Sequence, residues 1–278
     1  MKPPPRNAHP ARSALLAIAL LAPLLSLILA LRGAHLVWAL LPLFCSHLLL
    51  LYATFVPACQ WWGPVFVSFE TTAREVWITI DDGPSPVHTI ALLDLLERFD
   101  AHATFFVVGA NAEKYPHLVT EILTRGHALA NHTYSHPSRS FWWAGPARVE
   151  REIARCAETL RTTRERPADF FRAPVGIKNM FVHPALAARG LGLIGWTVRG
   201  LDTVQRDAIR VAERIEKGAR PGAIILLHDG HAAARDPGFG PHCLELTLQR
   251  LTARGYRCII PQSDQLRTRA GGKQKADC

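Results

Sequence analysis

The stretch Val76-Trp77-Ile78-Thr79-Ile80-Asp81-Asp82-Gly83-Pro84 decides the fold. Its β-branched and apolar residues run with a period of two, then stop at two adjacent carboxylates and a Gly-Pro turn. That is the pattern of a strand whose C-terminal end carries charge. Taken alone, the same stretch also reads as an Asp-Gly turn closing a hairpin. The chain downstream separates the two readings. From Glu75 onward, helix patterns at 88–99, 113–124, 147–163, 184–189, 206–217 and 242–253 alternate with strand patterns at 104–108, 128–130, 169–172, 192–196, 223–227 and 257–260. Repeated βα units imply a parallel sheet, most simply rolled into an irregular α/β barrel. In such folds the C-terminal strand ends face the ligand, which is where Asp81 and Asp82 stand.

The chain of 278 residues has room for a membrane segment and one catalytic domain of about 200 residues, but not for a second full domain. Its formal charge of +9, from 32 Lys and Arg against 23 Asp and Glu, is Arg-dominated and scattered, with the densest stretches at the two ends. These are a basic polar lead, residues 1–13 (Lys2, Arg6, Arg12), and a basic tail, residues 267–278 (Arg267, Arg269, Lys275), which is expected to be disordered. Basic ends suit anionic headgroups of membrane lipids. Basic and aromatic residues do not interleave and no nucleic-acid motif is present, so nucleic acid is not an expected partner. The six cysteines are scattered without CxxC spacing, which argues against a disulfide framework or a zinc knuckle and favours a reducing compartment.

An apolar stretch runs almost without charge over residues 14–58, and as one helix it would reach roughly 68 Å at ~1.5 Å per residue, twice a bilayer core. The break falls at Arg32-Gly33-Ala34-His35, leaving 14–31 and 36–58, each near the length of one span. The expectation is a transmembrane helical hairpin. A cleaved signal peptide is the competing account, but the second apolar segment follows at once and no small-residue cleavage site separates the two. With the basic lead kept in the cytoplasm, two crossings bring the chain back, so the expected location is the bacterial inner membrane with the catalytic domain facing the cytosol. Residues 59–74, with Trp61 and Trp62, form an expected interfacial linker, although core tryptophans capping a barrel end would read the same.

The remaining chemistry-bearing residues sit at strand ends. In Asn131-His132-Thr133-Tyr134-Ser135-His136 the two histidines stand four apart, and on a helical turn they would share a face. With a strand-end aspartate they supply two imidazoles and one carboxylate, a donor set with open positions that describes a catalytic rather than a structural metal. Arg172-Ala173-Pro174-Val175, Trp196 with Asp202, and Ile225-Leu226-Leu227-His228 complete the rim. A strand-end arginine or histidine has dull explanations singly; the set on one rim does not.

In this order, Ile80-Asp81-Asp82-Gly83, His132-x3-His136, Arg172-Ala173-Pro174, Trp196 with Asp202 and Ile225-Leu226-Leu227-His228 resemble the five motifs of the NodB-type polysaccharide deacetylases, carbohydrate esterase family 4. The resemblance covers about residues 75–262 and implies a distorted (β/α)7-type barrel, here a deacetylase domain at 75–266 preceded by the hairpin. It implies Asp81 as general base with Arg172 as its countercharge, and Asp82, His132 and His136 as ligands of one divalent ion. Zinc is the first expectation for that ion, with cobalt, nickel or manganese as alternatives. It further implies His228 as general acid with Asp202 as its orienting partner, an oxyanion donor at the Val175 N–H beside Pro174, and an acyl pocket from Trp196 and Leu226. Two departures stand out: Val175 where the family commonly has Tyr, and Arg199 where it often has a second acid.

The expected activity is removal of an N-acyl group, acetyl or formyl, from an amino-sugar glycan or glycolipid, lipid-linked at a membrane surface. The alternative substrate is envelope polysaccharide or peptidoglycan, with the domain outside the cytoplasm. The reading of another class, a catalytically silent membrane-anchored sugar-binding protein, is disfavoured because base, ligands and acid are all retained.

Overall fold

The structure is a computed structural model that describes residues 10–161, 169–230 and 236–268. Most of the expected basic lead and nearly all of the expected tail lie outside the described residues. Two long helices come first, α1 (Pro10–Leu31) and α2 (Leu36–Phe55). There follow β1 (Ser68–Phe69), β2 (Glu75–Asp81), α3 (Thr89–Arg98), β3 (Ala103–Val107), α4 (Gly109–Lys114), α5 (Pro116–Thr124), β4 (Ala128–Asn131) and α6 (Pro146–Arg161). Next come β5 (Phe170–Phe171), α7 (Val182–Ala187), β6 (Gly192–Leu193), β7 (Val198–Arg199), α8 (Ala208–Gly218), β8 (Ala223–His228), α9 (Phe239–Ala253), β9 (Arg257–Cys258) and β10 (Leu266–Arg267).

Strands β2 to β8 run parallel and curl into the expected barrel, with β2 at the centre between β3 and β8. The barrel is split at one seam. No helix intervenes between β6 and β7, and they do not pair; instead the extended Phe66 bridges to Ile194, its N–H donating to Leu193 O at 2.9 Å and its carbonyl accepting from Gly195 N at 2.7 Å. Strands β1 and β10 pair antiparallel beside β8 at that edge.

Alternation along the strands sorts the side chains into two cores. Val76, Ile78 and Ile80 of β2 pack outward against the helices, with Leu92, Leu93, Leu96, Ile225 and Leu248. Trp77 of the same strand points into the barrel with Phe106, Ala130, Ile194 and Ile224. The Trp77 indole N–H is satisfied there by Thr104 Oγ1 at 2.9 Å, as a buried polar group requires. Continuing the interior parity upward gives Asp81 on β2, His132 after β4, Arg172 after β5, Trp196 after β6 and His228 on β8. The period-2 pattern that makes the barrel core therefore also delivers the polar rim.

The expected helices 184–189 and 242–253 run from Val182 to Ala187 and from Phe239 to Ala253, the last two residues of the expected 147–163 lie outside the described residues, and one expected helix divides. The pattern at 113–124 is two helices, because Pro116 starts α5 and biases Tyr115 (φ −126°) out of helical geometry, ending α4 at Lys114.

Helices α1 and α2 pack as an antiparallel pair of 22 and 20 residues, about 33 and 30 Å long at ~1.5 Å per residue, which matches a hydrocarbon core of ≈ 30 Å. Both are long and apolar enough to cross a membrane, and most of each is exposed, so neither is the buried core helix of a globular domain. Both open ends of the pair meet the barrel. Leu15, Ala53, Cys59 and Trp62 form one buried cluster, and the Trp62 indole donates to Thr54 Oγ1 at 3.3 Å. Trp61 packs on the Tyr52 ring, centroids 5.0 Å apart. Trp62 thus belongs to the packed junction; the exposed tryptophans on the barrel are Trp142 and Trp143.

Candidate active site

Adjacent residues on a strand point to opposite faces, so Asp81 and Asp82 reach the same lumen only if the chain leaves strand geometry between them. It does. Asp81 ends β2, and Asp82 adopts φ +74°, the left-handed region that Asp tolerates better than most residues. Gly83 then lies so close to Asp229 that a Cβ there would sit 2.5 Å from Oδ2, which explains the glycine. The loop is held by Asn111 Nδ2 donating to Asp82 O at 3.0 Å.

The histidines are brought together by a different device from the one expected. Residues 132–136 form no helical turn; Thr133 (φ 67°) and His136 (φ 49°) are left-handed, and the loop folds back so that the two rings lie 4.9 Å apart. Side chains close the loop where a helix would have used backbone. Asn131 Oδ1 accepts from Thr133 N at 2.9 Å, Thr133 Oγ1 accepts from His136 N at 3.1 Å, and Glu152 of α6 accepts from Tyr134 N, Ser135 N and Ser135 Oγ at 3.1, 2.8 and 2.7 Å.

Asp82 Oδ1 faces His132 Nε2 at 3.4 Å and His136 Nε2 at 3.2 Å. Two donors each about 2.1 Å from a tetrahedral ion are about 3.4 Å apart, so these separations fit one divalent ion. The three ligand atoms lie within 4.8 Å of one another, the only such metal-competent group among the described residues. His132 Nδ1 is 2.8 Å from Arg172 O, an acceptor that places the ring proton on Nδ1 and turns the Nε2 lone pair toward Asp82. Burial acts to lower the His132 pKa, but the Asp81 and Asp82 charges outweigh it and the net shift is upward. Protons and metal therefore compete for that nitrogen.

Asp81, 3 % exposed, is anchored beside the triad by Arg172, whose Nη1 donates to Oδ1 at 2.7 Å and to Thr79 Oγ1 at 2.8 Å. The guanidinium, also fully buried, spends its other donors on Gly195 O at 2.8 Å and Ile194 O at 3.3 Å, and it stacks over Phe106 with its carbon 4.2 Å from the ring centroid. All three nitrogens of the guanidinium are engaged, so Asp81 is fixed with one oxygen turned toward His132, 3.7 Å away.

Across the cleft, Asp202 grips His228 twice: Oδ1 lies 2.9 Å from Nδ1, and Oδ2 accepts the His228 backbone N–H at 2.8 Å. Burial acts to lower this imidazole, but the Asp202 charge and hydrogen bond, helped by Asp81 and Asp82, raise it to about 9. The ring is thereby a proton donor at neutral pH. Trp196, Leu226, Val175 and Gly176 wall the cleft of ≈ 110 Å³ between these groups, with Arg199 at its edge. Val175, 51 % exposed, is left-handed (φ 51°), an outlier for a β-branched residue. Pro174 is buried beneath it.

Sequence reasoning assigned no role to a supporting layer. Asp229 accepts from Thr89 Oγ1 at 2.5 Å and Ser85 N at 3.3 Å, while His88 Nδ1 accepts from Gly230 N at 3.1 Å. Burial pushes Asp229 up to about 7. Its position directly after His228 was the available signal. Glu152, remote in sequence, offered none.

A family model described as "Polysaccharide deacetylase" matches residues 69–193. A chitooligosaccharide deacetylase of Bradyrhizobium sp. (strain ANU 289) is 34 % identical over 68 % of this chain and 84 % of its own length. A peptidoglycan-N-acetylglucosamine deacetylase of Bacillus cereus is 30 % identical over 70 % of this chain and 90 % of its own. Among solved structures, a family 4 carbohydrate esterase from Streptomyces lividans in complex with acetate superposes with a TM-score of 0.61 at 27 % identity, covering 69 % of this chain and 95 % of that one. With sequence likeness running across the barrel and the same barrel found in three dimensions, the chain belongs to the polysaccharide deacetylase family of carbohydrate esterases.

Proposed function

We propose that the protein removes an N-acyl group, acetyl or formyl, from an amino sugar by metal-assisted hydrolysis, on a lipid-linked substrate at a membrane surface. The observation that carries the chemistry is the triad of Asp82, His132 and His136 with an unligated, arginine-anchored Asp81 on one side and an Asp202-gripped His228 on the other. The observation that favours a membrane-held substrate is at the rim. A Cβ on Gly176, a cleft-wall residue, would meet Pro57 just past α2 at 3.0 Å, so the membrane-proximal end of the hairpin borders the cleft.

Amide hydrolysis needs an activated water, stabilisation of the carbonyl oxygen and a proton for the departing amine, since an amide anion is too basic to leave. A divalent ion on Asp82 Oδ1 and the two Nε2 atoms supplies Lewis acidity toward carbonyl and water. Zinc suits two imidazoles and a carboxylate best, and cobalt, nickel and manganese accept the same donors. Asp81 takes the proton from the attacking water through the oxygen that Arg172 leaves unoccupied. His228 delivers a proton from Nε2 to the nitrogen, while Asp202 holds Nδ1–H and supports the cationic ring. The Val175 N–H serves the carbonyl oxygen, and Trp196 and Leu226 receive the acyl methyl.

The reading is tested on detergent-solubilised full-length protein supplied with lipid-linked N-acetylhexosamine. Metal-dependent acetate release is expected, with Asp81→Asn, which keeps an acceptor for Arg172, losing roughly 10²–10⁴-fold. Release only from chitin or peptidoglycan oligomers would move the substrate to the envelope, the reading that the names of the relatives favour. No release from any amino sugar would remove the hydrolase itself.

A further inference from the structure

Between β7 and α8 runs a groove of ≈ 570 Å³ that shares Trp196 and Arg199 with the cleft of the candidate site. Its charge is one-sided. Arg210, Arg214 and Lys217 follow at helical spacing along the face of α8 that lines the groove, and Arg199 of β7 faces them. The single acid in the wall, Glu213, is drawn toward Arg250 Nη2, 3.8 Å away. Arg210 has Asp207 at 3.4 Å, but Arg199, Arg214 and Lys217 form no ion pair with any carboxylate among the described residues. Arg214 is not a loose surface side chain either, for its Nε donates to Arg199 O at 3.1 Å, which fixes its guanidinium in the wall.

A stripe of cations on an exposed helix is ordinarily a solvated face. Here the stripe faces a strand arginine and an indole across an open groove, and two residues of that groove, Trp196 and Arg199, also wall the reaction cleft. Unpaired guanidinium forks converging with an ammonium are a match for an ester of phosphate or pyrophosphate, which presents several acceptor oxygens and more than one negative charge. A neutral oligosaccharide has no use for them. We infer that this groove binds the phosphate or pyrophosphate group of a phosphorylated amino-sugar substrate while the acylamino group lies at the metal triad. The inference rests on the proposed deacylation and names the part of the substrate that the cleft itself does not hold.

The test uses the full chain in detergent and the variant Arg210→Gln/Lys217→Gln, whose side chains touch neither the triad nor the acid–base pair. Inorganic pyrophosphate titrated calorimetrically should bind the wild type, weaken with added salt, and bind the variant at least 10-fold more weakly. With N-acetylglucosamine carried on a pyrophosphate ester, the variant should lose at least 10-fold in kcat/KM through KM, and with neutral chitotriose it should match the wild type. Equal pyrophosphate affinity in the two proteins would overturn the inference, and so would an equal loss on both substrates. If instead the variant lost only its binding to phosphatidylglycerol vesicles, with kinetics unchanged, the cations would serve lipid headgroups and the substrate assignment would fall. Absence of acetate release from both substrates alongside intact pyrophosphate binding would count against the deacylase reading and leave the groove standing.

Discussion

In the proposed mechanism His228 is the residue whose protonation the chemistry most depends on, and its environment sets a definite pH dependence. Burial alone would lower its pKa; Asp202 outweighs burial and brings it to about 9. A folded pKa above the ordinary 6.5 means that the charged ring stabilises the fold fully below pH 6.5, with that contribution disappearing as pH rises through about 9. The proton available to the leaving amine disappears over the same range. The basic limb of kcat/KM is therefore expected near pH 9, and Asp202→Asn should move it to lower pH, read from a pH–rate profile. An unmoved limb would mean that another group titrates there. Val175 tests a different property, the strain of a β-branched residue at φ 51°. Left-handed backbone costs a non-glycine residue roughly 1–2 kcal/mol, and glycine returns part of that through unfolded-state entropy. Val175→Gly should thus raise stability by about 0.5–1 kcal/mol, visible as a higher thermal midpoint, and should keep the backbone N–H that the proposed mechanism uses.

At the scale of elements, α6 supports the candidate metal triad without touching it. Glu152 receives three donors from residues 134 and 135, the link between the two histidines, so Glu152→Ala should leave His136 free to swing away. Supporting hydrogen bonds of this kind are worth about 10–100-fold in metal affinity, and competition with a chromogenic chelator would measure the loss. An unchanged affinity would show that Thr133 and Asn131 suffice to hold the loop. This clamp also marks where sequence reading stops. The barrel was readable because period-2 alternation along β2 and β8 is a local property, and the same parity carries Asp81 and His228 inward. Pairing of Asp81 with Arg172 and of His228 with Asp202 depends on strand register, so those pairs came from the family resemblance and not from local patterning. The fold-back of His132 onto His136 depends on left-handed residues that are not glycine, and nothing in Thr133 or His136 announces them. The seam between β6 and β7, bridged by Phe66, and the groove between β7 and α8 are visible only once the strands are placed.

For the whole molecule, the hairpin and the barrel are joined by contacts too specific for a flexible tether. Lys178, fully buried, donates from Nζ to Val56 O and Pro57 O, both at 2.9 Å, and burial lowers its pKa to about 8. Because it ties the end of α2 to the segment that follows the Val175 turn, the cleft has a fixed relation to the helical hairpin. The proposed side of the bilayer rests on the number of crossings: if both apolar helices span and the basic end stays in the cytoplasm, the domain faces the cytosol. A C-terminal fusion of the full chain should then fluoresce with a green fluorescent reporter and be inactive with alkaline phosphatase; the reverse pattern would place the barrel outside. The depth of the cleft is a separate matter. Phe55, the last residue of α2, packs on Trp142 with ring centroids 5.2 Å apart, and Trp143 beside it is 67 % exposed. Tryptophans adjoining the end of an apolar span sit favourably at the headgroup level, with the ring among acyl chains and the N–H in water. In vesicles containing brominated lipids, wild-type fluorescence should be quenched more than that of Trp142→Phe/Trp143→Phe, the difference being the light these two residues emit from within the interface. Identical quenching in the two proteins would lift this face off the bilayer and leave the hairpin as a tether alone, and a cleft held away from the surface would have no privileged access to a lipid-linked sugar.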